Sequence, residues 1–269
     1  MFHACLPWFA LCLAGAGDAP LEIVNGRATY GYLGAMRPKG GGILPGDTVF
    51  FTFEIKNLKL DETSKASYSI AIEIRDEQGK LFFEQKPYNS VARNYLGGDS
   101  LPCSAHVAIP LNAKPGVHEW KITVKDRATN KTATLAGKGN VLAADFGIVQ
   151  VGLFADPEAR VPTSAVGAVG DSFYMQFSAV GFGRDKDRKQ PDVEVAMRIL
   201  DEQGKPTSAK PISSKINTGV DPQERLLPVN FGLTLNRAGR FTIELSADDR
   251  TAGKTALVRY AIRVLPLDK

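Results

Sequence analysis

From Val49 to Ile55, and again from Tyr68 to Ile74, every second residue is large and apolar: Val49, Phe51, Phe53 and Ile55, then Tyr68, Ile70, Ile72 and Ile74. Polar residues such as Thr52, Glu54, Ser69 and Glu73 stand between them. A period of two is the period of a strand, because successive side chains leave the backbone on opposite sides. The pattern predicts strands with one dry face and one wet face. That implies antiparallel sheets, since parallel strands covered on both faces read as unbroken apolar runs. No window of a dozen residues carries a 3.6-residue apolar period. The nearest candidate, LFADPEARVPTSAVGAVGD at 153–171, is broken by Pro157, Pro162 and its glycines.

The pattern is written twice. PGDTVFFTFEI (45–55) matches VGDSFYMQFSA (169–179), and YSIAIEIRDEQGK (68–80) matches VEVAMRILDEQGK (193–205). IPLNAKPGVHEWKITVKDRATNKTA (109–133) matches LTLNRAGRFTIELSADDRTAGKTA (233–256), and the offset stays at 123 to 125 residues. A unit of this length is a duplicated domain rather than a solenoid repeat, whose period is about 20 to 50 residues. With 269 residues, 43% hydrophobic and 23% charged, the chain has the composition of two folded domains. The boundary falls in GKGNVLAADFG (137–147), giving domains at 18–142 and 143–269 that are expected to fold independently when cut between Asn140 and Asp145.

The repeated phrase DEQGK puts two carboxylates side by side, Asp76 and Glu77 in one copy and Asp201 and Glu202 in the other. As an acid/base pair they are badly placed, because neighbours on a turn tip diverge. As a hairpin tip the phrase is well made: Asp can bond to the backbone two residues on, and Gly79 or Gly204 supplies a positive φ. KDRATNKTA (125–133) and DDRTAGKTA (248–256) read as a second hairpin, with Asn130 and Gly253 at the left-handed position. Asp248 and Asp249, with Asp185 and Asp187, raise the question of calcium. Their spacing fits no EF-hand loop, and the interleaved Arg184, Lys186, Arg188 and Lys189 oppose a divalent ion, so a solvated, charge-balanced loop is expected.

Cys103, His106 and His118 form the one cluster of metal-ligand types. The alternation places Cys103 inward as a small buried hydrophobe, His106 on the opposite face, and His118 at the inner edge of the next strand. No metal or cofactor is therefore expected. There is no Gly-x-Ser-x-Gly elbow and no nucleotide-binding glycine loop between strand and helix, so the chain is read as non-catalytic. The glycine run KGGGILPGD (39–47) instead lets the first strand swing from one sheet to the other.

Residues 1–17, MFHACLPWFALCLAGAG, carry an apolar run from Leu6 to Leu13 that closes on Ala14, Gly15 and Ala16. This reads as a signal peptide cleaved after about Ala16, and predicts a periplasmic, cell-surface or secreted protein. Leu11 is a poor neighbour for an acylated Cys12. Removal of the segment leaves Cys103 as the one thiol, which forbids an internal disulfide. Charge divides as 16 basic against 13 acidic residues over 18–144 and 17 against 16 over 145–269. Neither half has the basic stripe that nucleic acid demands, and no later run is long enough to span a bilayer as a helix.

About seven short strands per copy, with Pro and Gly between them, resemble the immunoglobulin-like or fibronectin-III-like sandwich modules of bacterial exported proteins. The resemblance implies an all-β pair of tandem antiparallel sandwiches acting as a structural or protein-interaction module, with another envelope or extracellular protein as partner. Two other readings stay open. Exposed aromatics, with Tyr30, Tyr32, Tyr88 and Tyr95 as candidates, would make a glycan-binding surface. A basic pair of such domains also resembles the periplasmic pilus chaperones, which donate an edge strand to a subunit.

Overall fold

The computed structural model describes residues 19–267; residues 1–17, read above as a signal peptide, and their Cys5 and Cys12 lie outside them. Among the described residues every regular element is a strand. The first half of the chain supplies β1 (Glu22–Thr29), β2 (Thr48–Lys56), β3 (Lys65–Asp76), β4 (Leu81–Arg93), β5 (Ser100–Ala108), β6 (Gly116–Asp126) and β7 (Thr132–Val141). The second supplies β8 (Gly147–Phe154), β9 (Val166–Ala168), β10 (Ser172–Val180), β11 (Val193–Leu200), β12 (Ile212–Ile216), β13 (Leu226–Thr234), β14 (Gly239–Asp249) and β15 (Lys254–Leu265). Residues 142–146 join the halves.

The first half forms sheets of order β1-β2-β5 and β4-β3-β6-β7; the second forms β13-β10-β8 and β12-β11-β14-β15-β9. The inward residues of each sheet pair make one core. Phe51, Phe53 and Ile55 of β2 meet Ile70, Ile72 and Ile74 of β3 and Ile122 and Val124 of β6. In the second half Met175 and Phe177 meet Val195, Met197, Ile243 and Leu245. Burying each such side chain stabilises by roughly 1.5–3 kcal/mol.

Two expectations need correction. One pairing is parallel: β9 lies along β15 with Val166 opposite Arg263 and Ala168 opposite Leu265, and gives the second half an eighth strand. The first half has only a single parallel bridge at the matching place, Ile43 to Val141, where the glycine run carries the chain across to β7. Second, the outer face of β2 is not wet throughout. Thr52 is buried and shares a hydroxyl hydrogen bond of 3.1 Å with fully buried Thr29.

The halves themselves are joined by more than the linker. The loop after β1 runs into the second half, where Ala35 belongs to the core cluster around Phe173 and Tyr260 and Tyr30 packs on it. The Tyr30 and Tyr260 rings lie 6.1 Å apart, and a methyl on Gly34 would come within 1.7 Å of the Tyr30 carbonyl and 2.6 Å of the Tyr260 hydroxyl. Beside this contact the buried Asp47 carboxylate accepts from Arg37 Nη1 (2.8 Å), from its neighbour Thr48 N (2.8 Å) and from Gln150 N of β8 (2.8 Å). Gln150, at φ +55°, sits in the β8 bulge opposite Gln176–Ser178 and also donates its side-chain amide to the Gly46 carbonyl at 3.0 Å.

Candidate functional site

The two repeated hairpins place their carboxylates in structural roles. Asp76 Oδ1 accepts from Gln78 N (3.1 Å) and Lys80 N (2.8 Å), while Gly79, at φ +76°, donates to the Asp76 carbonyl. Asp201 repeats this with Gln203 N (3.1 Å), Lys205 N (2.9 Å) and Gly204 at φ +75°. The adjacent Glu turns away in both copies to hold the next strand: Glu77 accepts from Val117 N and Glu202 from Arg240 N, each at 3.1 Å. Asp makes the turn and Glu ties it to the neighbouring strand. That division of labour, which sequence alone hides, accounts for both letters being repeated.

The second hairpin contains a buried tie. Asp126 is 1% exposed; its Oδ1 accepts from Ala128 N (2.8 Å) and its Oδ2 from Lys59 N (3.0 Å) in the loop after β2. Asp249 makes the same pair of links, to Thr251 N (2.9 Å) and to Gly183 N (2.6 Å) after β10. Asp249 is therefore no member of a solvated cluster. Burial raises the Asp126 carboxyl, but the N–H groups of Lys59 and Ala128 outweigh it and hold it below the usual carboxylate range. Asp185 spends its carboxylate on the backbone of Asp187 and Arg188.

Cys103, His106 and His118 are not brought together. Cys103 is buried with its sulfur 3.9 Å from the Tyr68 hydroxyl; burial pushes its thiol up, and pushes the Tyr68 phenol to about 12. His106 is exposed on the other face, its ring 5.2 Å from that of Phe50. His118 is buried, with Nδ1 3.1 Å from the Gly116 carbonyl and its ring edge-on to Phe82. No group of three or more His, Cys, Asp or Glu able to hold a metal ion occurs among the described residues. The four tyrosines fall into two groups, Tyr30 and Tyr32 in the loop after β1, and Tyr88 and Tyr95 on β4 and just beyond it. Tyr30 lies in the joint beneath the Arg37 guanidinium at 4.4 Å, while Tyr88 is on β4 and Tyr95 in the turn beyond it.

The feature with the geometry of a binding site lies elsewhere. A cavity of about 490 Å³ opens between the two sheets of the first half, beneath the crossover 36–43 and between β1 and β7. Its floor is apolar, with Val49, Phe51, Ile74, Val107, Ile109 and Trp120. The reason for the space is legible in the strand register. Against β6, β7 places Gly137 opposite Trp120, Gly139 opposite His118 and Val141 opposite Gly116. Against β14, β15 places Tyr260 opposite Ile243, Ile262 opposite Phe241 and Val264 opposite Gly239. Two inward glycines thus stand where the second half has its buried Tyr260 and Ile262. Trp120 leans over Gly137, where a methyl would meet its ring at 2.5 Å, whereas at Gly139 a methyl would meet only the tip of Ile43 at 3.3 Å. The flank stays open as well, because a single bridge replaces the β9–β15 pairing. Two depressions on the second half, about 630 and 620 Å³, both include Asp201, already committed to its turn.

No family model matches the chain, and no curated protein matches it. Among solved structures, red sea bream transglutaminase aligns at 9% identity and a TM-score of 0.27 over 94% of this chain and 32% of that one. An alkylpurine DNA glycosylase of Pseudomonas fluorescens, AlkC bound to DNA with an abasic-site analogue, aligns at 14% identity and a TM-score of 0.27 over 47% of this chain and 32% of that one. The chain spans about a third of the length of each. Likeness this loose carries no argument about function.

Proposed function

We propose that the chain is a non-catalytic exported interaction module of two immunoglobulin-like sandwiches, produced by duplication and joined through the Tyr30–Arg37 loop. Support for the duplication comes from matched hydrogen bonds, above all the pairs Glu77–Val117 with Glu202–Arg240 and Asp126–Lys59 with Asp249–Gly183. The protein-binding reading is carried by β4. It is the edge of its sheet for thirteen residues, whereas its counterpart β12 has five.

Natural edges are blunted by proline, lysine and bulges. Lys86 and Pro87 sit where the β3–β4 register shifts and protect that part of β4. Beyond them the strand pairs regularly, from Tyr88 opposite Ile70 to Arg93 opposite Lys65, with its outer edge open. This stretch exposes Tyr88 and Val91 and leads to Tyr95 and Leu96, exposed by 72% and 102%. An open edge beside exposed apolar side chains suits strand addition by an extended segment of another protein. Crosslinking in the native envelope should trap a partner through benzophenone placed at Val91, and Leu96→Asp should abolish the product. A chain recovered only as a free monomer would overturn the reading. The glycan reading has its four tyrosines divided between the loop after β1 and the end of β4.

A further inference from the structure

We propose that the inter-sheet cavity of the first half binds a free long-chain carboxylate, with its acyl chain between the sheets and its anionic head at the mouth. Three observations carry this. The cavity, at about 490 Å³, falls in the range of small-molecule sites, and an apolar void of such size in a sandwich core leaves its lining without dispersion partners. Its lining includes Arg27, Arg37, Lys39 and Lys138 and no carboxylate, although the chain as a whole is nearly balanced at 33 basic and 29 acidic residues. Arg37 is committed to Asp47 and Lys138 pairs with Glu119. That leaves Lys39, exposed at the mouth, and Arg27, also exposed but within electrostatic reach of the Glu54 carboxylate, to meet a ligand carboxylate.

The lining of the site narrows the ligand further. Gly139 leaves the space open along β7, and Trp120, which covers Gly137, walls it on the inside together with Phe51, their rings 4.5 Å apart. A glycan would find few hydrogen-bonding groups on this floor. A cationic amphiphile would meet charge of its own sign.

Trp120 is itself the reporter. With Trp8→Phe in the full chain it is the one tryptophan, so titration with dodecanoate below its critical micelle concentration should shift its emission and saturate. Dodecyltrimethylammonium should bind at least about tenfold more weakly, a difference of about 1.4 kcal/mol. Gly139→Val, which restores a β-branched side chain where the second half has Ile262, should abolish the shift while leaving cooperative unfolding intact. Arg27→Ser with Lys39→Ser should weaken dodecanoate about tenfold and leave dodecanol unchanged. Absence of a saturable shift, equal binding by the Gly139→Val protein, or equal binding of the cationic detergent would each overturn the proposal.

Discussion

Single side chains hold this molecule at points where the backbone would otherwise lack partners. Asp126 joins the β6–β7 turn to the loop after β2 through hydrogen bonds to Lys59 N and Ala128 N. Asp126→Ala strands those N–H groups and should cost about 1–3 kcal/mol in urea unfolding. Because its folded pKa is depressed, the stabilisation is complete above the ordinary Asp value of about 3.9 and is lost as pH falls through the lower folded value. Asp126→Asn should flatten that part of the stability–pH curve, and an unchanged curve would refute the assignment. Cys103, buried with its thiol pushed up, should react with a thiol reagent only after unfolding. Alternation placed Cys103, His106 and His118 on their faces from sequence alone. The reach of Glu77 to Val117 was not legible, because forty positions separate the partners and no local rule links them.

At the scale of elements, both DEQGK hairpins depend on a left-handed glycine, so Gly79→Val and Gly204→Val should each cost about 1–2 kcal/mol in thermal unfolding. Similar losses at both positions would show that the two turns are equivalent. The strands themselves were legible through their period of two, as was the sheet change at the glycine run. The parallel β9 was not, since three residues are too few to show a period. The cavity was hidden for a different reason. Gly137 and Gly139 count as neutral in any tally of apolar alternation, and they become informative only when the repeat alignment is carried past Ala133 and Ala256, where they fall opposite Tyr260 and Ile262.

For the whole molecule the deciding feature is the joint. Ala35 and Tyr30 are as much a part of the second core as of the first half, so residues 143–269 made alone should melt several degrees below the same sandwich in the full chain. Equal midpoints by calorimetry would show that the joint adds nothing. Gly34→Ala forces a methyl against the Tyr30 carbonyl and should destabilise by about 1–3 kcal/mol, with the loss concentrated in the second half. Periodicity could not reveal this link, because the loop that makes it has no repeat and its partner lies near the far end of the chain.

That placement has a temporal meaning. During synthesis the sandwich of the first half emerges before that of the second, and its loop must wait, greasy side outward, until Tyr260 has left the ribosome. Docking therefore waits on β15, and a chain stalled before that strand would present Tyr30 and Ala35 to whatever quality-control machinery it meets.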